Sequence, residues 1–175
     1  GHHLALNWNL GEENTQTSRE QRTMAQYISD TDPYFHNIVL HTHWHPGMQE
    51  RFYEPLIGNG SVLTGVSLQN MWNDVHALTL QWIKASARTG RPWVVANDEQ
   101  GSARTGVPPD PGYKGFSGTP FEEGYEPYDL HAIRKHTLWG NLMAGGAGVE
   151  YYFGYLLPEN DLVAEDFRSR DKTWD

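Results

Sequence analysis

A chain of 175 residues with 38% hydrophobic and 13% aromatic residues is long enough for one domain with a proper core. Thirteen Lys and Arg against 22 Asp and Glu leave a formal net charge of -9, which argues against nucleic acid, whose phosphates need a basic face. With no cysteine the chain has no disulfide or thiolate metal site, and no apolar run reaches the roughly 18 residues of a membrane span.

Strands and helices alternate along the chain. Leu4–Leu10 is a nearly continuous apolar run, as expected of a parallel strand buried on both sides. Thr17-Ser18-Arg19-Glu20 opens a helix with a capping-box pattern, Met24, Tyr27 and Ile28 supply its apolar face, and Asp32-Pro33 ends it. Asn37–Trp44 is the second strand. Pro46–Gly65 reads as loop with one short helical turn around Tyr53–Leu56, and Val66–Gln69 as a short third strand. Asp74 caps a helix running to about Ala87, with Val75, Leu78, Trp82 and Ile83 on one face, and Gly90 and Pro92 stop it.

Trp93–Asn97 is the fourth strand. The Gly- and Pro-rich stretch from Gly101 to Pro127 is long enough to be an active-site loop rather than a plain connector. Asp129 caps another helix, to about Ala144, with a stripe of Leu130, Ile133, Leu138 and Leu142; Gly145-Gly146 closes it, and Gly148–Tyr155 is a fifth strand. The tail SRDKTWD (Ser169 to Asp175) looks like a helix just beginning.

The most informative features are two acidic strand ends. LALNWNLGEEN (Leu4 to Asn14) finishes in Glu12 and Glu13, and RPWVVANDEQG (Arg91 to Gly101) in Asp98 and Glu99. Carboxylates at the C-terminal edge of a parallel sheet stand where α/β folds place their chemistry, and two such edges set a pair of acids across a cleft, as in a glycoside hydrolase. Five βα units fall short of a (β/α)8 barrel, which usually needs about 250 residues. The expected fold is therefore α/β, a partial TIM barrel comprising strands four to eight. Residues 1–175 would form a single domain, the C-terminal portion of the catalytic barrel. A complete small doubly wound sheet is the alternative.

WNLGEEN (Trp8 to Asn14) resembles the end of strand four in retaining glycoside hydrolases of clan A, where a Trp-x-x-x-x-Glu pattern delivers the acid/base. VVANDEQG (Val94 to Gly101) resembles the strand-seven end that carries the nucleophile. WGNLMAGGAGVEYYFGY (Trp139 to Tyr155) is similar to bacterial apiosidase-like proteins of that clan, often described as having a collagen-binding domain. The resemblance implies a retaining mechanism on a plant or microbial polysaccharide or oligosaccharide, with Glu13 as acid/base and Glu99 as nucleophile. Glu12 stands where clan members usually carry Asn, which leaves Glu12 and Glu13 as alternatives for the acid.

Around these carboxylates we expect substrate contacts from Glu12, Asn14, His41, His43, Trp44, Asn97, Asp98, Glu150 and Tyr152. On a regular strand Glu99 shares its face with Asn97, Val95 and Trp93. Glu150, in an otherwise apolar strand, reads as a third acid or as the buried partner of an Arg. In HTHWH (His41 to His45) the three histidines alternate on a strand and can face one side. Such imidazoles can ligate zinc or copper, but in a carbohydrate enzyme a sugar-binding wall is favoured, with Trp44 as the stacking platform. A non-catalytic glycan-binding or histidine-based metal-binding protein on the same scaffold is the second reading. Gly1-His2-His3 could chelate copper or nickel if Gly1 is a free terminus, Arg104 and Lys114 could meet an acidic sugar, and Glu159–Asp171 lacks a regular calcium-loop pattern. No cofactor or resident metal is expected. The expected partners are the carbohydrate and either a missing N-terminal barrel segment or a second copy, because an open sheet edge promotes pairing. A secreted or periplasmic setting is expected, with any targeting segment outside this chain.

Overall fold

The computed structural model describes residues 7–45, 47–101, 106–107 and 129–152. Gly1-His2-His3, most of the long loop with Arg104 and Lys114, Gly154 and Tyr155, the acidic stretch Glu159–Asp171 and the C-terminal tail lie outside them.

The strands are β1 (Asn7–Asn9), β2 (Asn37–Thr42), β3 (Gly65–Asn70), β4 (Val94–Gln100) and β5 (Gly148–Val149). All pairings between them are parallel. They form one five-stranded sheet in the order β1-β2-β3-β4-β5, which is also the chain order. A doubly wound sheet reverses direction at a switch point; this sheet does not reverse among its described strands. Crossovers that all step the same way, each right-handed, put their helices on one face of the sheet.

The first of these helices, α1 (Ser18–Thr31), starts where the sequence says it should. Thr17 accepts from the Glu20 amide, and the Glu20 carboxylate accepts from the Thr17 amide, so two orphan donors of the first turn are satisfied reciprocally. Its apolar face differs from expectation. Ala25 and Gln21 are buried and Ile28 packs against the core, whereas Met24 and Tyr27 point outward. Gln21 takes the inward position because its amide donates to Asn14 Oδ1 at 3.1 Å. Beyond the helix, Asp32 collects the Trp8 indole N–H at 3.1 Å and the His36 amide at 2.9 Å, clasping β1 to the entry of β2.

The segment read as mostly loop contains a second helix, α2 (Met48–Tyr53), running into a 3-10 turn at Glu54–Leu56. Gly47 at φ 78° starts it without a side-chain cap, which is why its sequence signal is faint. The third helix, α3 (Val75–Ala87), buries Val75 and Trp82 and packs Leu78 and Ile83 on the core, as its periodicity predicts. Asp74 occupies its N-cap position without making a side-chain cap bond.

The last helical run is α4 (Leu130–Ile133), a π segment (Arg134–Trp139) and α5 (Gly140–Met143). The π turn adds a residue and rotates the remainder of the helix, so Thr137, Gly140, Asn141 and Ala144 face inward while Leu142 is exposed. Asn141 then donates to Thr79 Oγ1 on α3 at 3.2 Å and accepts the Gly148 amide at 2.9 Å, which docks β5.

The main core lies between the helices and one face of the sheet. Leu10, Ile38, Leu40, Val66, Leu68, Trp93 and Val95 meet Ala25, Phe52, Tyr53, Leu56 and Trp82. At about 1.5–3 kcal/mol per large apolar side chain, this burial dominates the favourable side of folding. A smaller cluster of Trp72, Val107 and Ile133, with Tyr151 against it, closes the far end. The opposite face of the sheet carries the alternate residues, and a concavity of about 520 Å³ lies over it, lined in part by Asn7, Asn9, Asn37, Val39 and Ala96.

Candidate active site

The chemistry gathers at the C-terminal edge of that concave face. Register fixes the rows: His41 pairs with Ser67, Ser67 with Ala96, and Gln69 with Glu99. Residues two apart share a face, so Val39 and His41 on β2 and Ser67 and Gln69 on β3 point the same way.

On β4 the alternation breaks. Leu68 pairs with Asn97 and Gln69 with Glu99, leaving Asp98 as an extra residue in a β-bulge. A bulge lets consecutive side chains reach one side of a strand. Here both Asp98 and Glu99 reach His41: Asp98 Oδ1 lies 3.1 Å from Nδ1, and Glu99 Oε2 lies 3.5 Å from Nε2. This corrects the regular-strand expectation. Val95 and Trp93 belong to the helix-side core, and Glu99 does not share their face. Asn97 is likewise turned away, fully buried, donating to the Leu68 carbonyl at 3.0 Å and accepting from Gln100 at 2.6 Å. Its side chain anchors the strand to β3.

The second carboxylate comes from the turn after β1. Gly11 at φ 90° and Glu13 at φ 46° reverse the chain. A left-handed conformation at a residue with a side chain stores strain, which tends to accumulate at functional sites. The turn is held from below. Asn14 is buried, donates from its side chain to the Leu10 carbonyl, and accepts from the Gln16 amide and Gln21. Its own amide donates to the His41 carbonyl at 2.9 Å. Asn14 therefore shapes the turn that carries Glu13. Glu12 is exposed, whereas Glu13 is half-buried and engaged. Glu13 Oε1 takes the Gln69 side-chain amide at 3.1 Å and lies 3.1 Å from His43 Nδ1. Both contacts fall on Oε1, so of the two adjacent glutamates Glu13 is the one tied into the sheet edge.

Gln69 was not anticipated. It is 1% exposed, donates to Glu13, accepts the Trp44 amide at 3.0 Å, and pairs in register with Glu99. Its side chain thus holds Glu13, while its backbone lies beside Glu99 in the sheet. Ser67, also unanticipated, donates its hydroxyl to Asp98 Oδ2 in a close contact. The signal was present in GVSLQN, where two polar residues alternate through a strand otherwise built for burial.

The three histidines do not form one set, because β2 ends at Thr42 and regular alternation ends with it. His41 is buried between carboxylates, His43 turns to Glu13, and exposed His45 stacks on Trp44 with ring centroids 4.5 Å apart. Among the described residues no group of three or more His, Asp and Glu side chains is arranged to hold a metal ion. Glu150 is exposed and lines the rim of the concavity. Tyr152 is half-buried and tied through its backbone, donating to Gln100 Oε1 at 3.1 Å and accepting the Val107 amide at 2.8 Å.

Burial works against a charge on His41, but its hydrogen bonding to the Asp98 and Glu99 carboxylates and the fields of both outweigh it, raising its pKa from 6.5 to about 9. A group whose folded pKa is raised stabilises the fold while it is protonated. Its contribution should be complete below pH 6.5 and lost as pH rises through about 9. Urea unfolding at a series of pH values should show this alkaline loss, and it should vanish in His41→Gln.

No protein-family model, curated protein or solved structure matches this chain.

Proposed function

We propose that the chain is the catalytic part of a retaining glycoside hydrolase, with Glu99 as nucleophile and Glu13 as acid/base. The observation that carries this reading is the presence of these two carboxylates at one sheet edge, each beside a histidine, with Gln69 holding Glu13 from the strand next to Glu99. In the first step a Glu99 oxygen attacks the anomeric carbon while the bond to the leaving oxygen breaks, and that oxygen takes a proton from Glu13. In the second, Glu13 takes a proton from water, the water oxygen bonds the anomeric carbon, and Glu99 leaves as a carboxylate. Two inversions return the starting configuration.

The scaffold we infer is a (β/α)8 barrel, of which these residues supply strands four to eight. A singly ordered parallel sheet with helices on one face and a concave opposite face supports this, as does the position of the acids. The preceding strands, from this polypeptide or a second copy, would add to β1. The exposed Trp8 on that strand and Met24 and Tyr27 on α1 provide apolar area for them to cover. The substrate is a plant or microbial oligosaccharide or polysaccharide met outside the cytoplasm. Trp44 and His45 form the aromatic ledge beside the acid, suited to a flat sugar face.

The test is to incubate the full-length protein with aryl glycosides and cell-wall oligosaccharides and read the first-formed anomer by proton NMR. Product of retained configuration is expected. Inverted product, or no release from any of them by folded protein, would overturn the reading.

A further inference from the structure

Asp98 is the extra residue of the bulge, and although it is partly exposed at the concavity, both its oxygens are engaged by neighbouring side chains. One oxygen meets the imidazole and the other accepts from Ser67. His41 is 3% exposed, with its other nitrogen turned to Glu99 at 3.5 Å and no closer acceptor. We propose that Ser67, Asp98 and His41 form a positioning chain for the Glu99 carboxylate and do not bind the sugar. The proposal rests on Glu99 being the nucleophile.

The physical reason for two acids around one imidazole lies in the reaction. An imidazole facing a carboxylate from each nitrogen must donate from both, so it carries a proton and a positive charge. When Glu99 forms its glycosyl ester it loses its negative charge. If it were the only partner, His41 would become an uncompensated buried cation, which costs several kcal/mol. Asp98 takes no part in the bond changes, so the imidazole keeps a second carboxylate partner at every stage. The long contact to Glu99, at 3.5 Å, aims the carboxylate without tying up the attacking oxygen as firmly as a short bond would.

The other ionisable groups around this chain fit the assignment. Tyr53 on α2 lies behind Ser67, donating to its carbonyl at 3.4 Å; burial and the field of Asp98 push its phenol up, so it stays neutral. Glu13 and His43, one step along the edge, are engaged with each other. That leaves Asp98 and Glu99 as the carboxylates in contact with His41.

The experiment is imidazole NMR on ¹⁵N-histidine-labelled protein from pH 5 to 10, with steady-state kinetics on Asp98→Asn, His41→Gln and the milder Ser67→Ala. In the parent protein both His41 nitrogens should remain protonated at pH 8 and titrate near 9. Asp98→Asn should return His41 to the ordinary histidine range. In Asp98→Asn and His41→Gln, kcat should fall about 100-fold, the scale of a misplaced reacting group, with KM little changed. Ser67→Ala should shift both readouts the same way by less. A neutral single-tautomer His41 at pH 7, or Asp98→Asn raising KM at unchanged kcat, would overturn the proposal. The NMR readout needs no substrate, so its failure is distinguishable from failure of the hydrolase reading.

Discussion

Glu99→Gln should lower kcat by at least about 10⁴-fold, the scale at which loss of a covalent nucleophile is felt. The replacement keeps the shape of the side chain, and Asp98 still faces His41, so the buried imidazole is not left without a charged partner. The fold should therefore survive while the attacking oxygen is lost. Glu13→Gln should show a different pattern. Hydrolysis should fall about 10²–10⁴-fold for poor leaving groups, which need the proton, and much less for activated aryl groups, which do not. Glu12→Gln should change little, because Glu12 is exposed and its neighbour is the one tied into the sheet edge. Azide adds an independent assignment. With Glu99→Ala it should restore turnover and give a glycosyl azide of inverted configuration, whereas with Glu13→Ala the azide product should be of retained configuration. A Glu99→Gln protein within tenfold of the parent would remove Glu99 from the chemistry.

The largest stability effect should come from Trp82, in the core on the helix side of the sheet. It is 1% exposed, meets Tyr53 edge-on with ring centroids 5.0 Å apart, and donates its indole N–H to Gln49 Oε1 at 2.7 Å. Trp82→Ala should cost about 3–5 kcal/mol from lost burial and the cavity left behind. It also leaves the buried Gln49 oxygen without that donor, a further penalty of about 1–3 kcal/mol if nothing replaces it. Against a total stability of about 5–15 kcal/mol, this is enough to unfold a marginal domain. Trp82→Phe keeps most of the packing and should lose mainly the hydrogen-bond component, so the two variants separate the effects in urea unfolding. There is a consequence for the site as well. Gln49 donates to the Gln69 carbonyl at 3.0 Å and to Asn70 Oδ1 at 3.2 Å, holding the end of β3 where Gln69 reaches Glu13. Trp82→Phe should therefore lower kcat modestly even where the protein remains folded. A loss below about 1.5 kcal/mol in Trp82→Ala would show that the core collapses around the gap.

Much of the scaffold was legible from local chemistry. The capping box at Thr17 and Glu20, the apolar face of α3 and the alternation of strands with helices are short-range patterns, and short-range patterns survive folding. The acidic strand ends were visible for the same reason, since apolar residues give way to charged ones where a strand meets the sheet edge; the expected burial of the first strand on both sides is not seen, because Asn7–Asn9 are exposed. Other features were not legible, because they depend on partners distant in sequence. Met24 and Tyr27 look like the inner face of α1, yet Gln21 turns inward because Asn14 needs its amide. The stripe of the last helix is rotated by a π turn that has no clear mark in the sequence.

By itself, the sequence determined that this is an α/β chain whose carboxylates stand at strand ends, because strand and helix periodicities and end signals are written in neighbouring residues. Only the tertiary structure decided which groups those carboxylates meet. Side-chain direction on a strand has a period of two, so a single extra residue reverses the assignment of everything beyond it. The bulge at Asp98 is such a residue, visible only in the register of β4 against β3. It brings Asp98 and Glu99 together on His41, turns Glu99 away from the helix-side face that Asn97 shares with Val95, and sets Glu99 in register with Gln69.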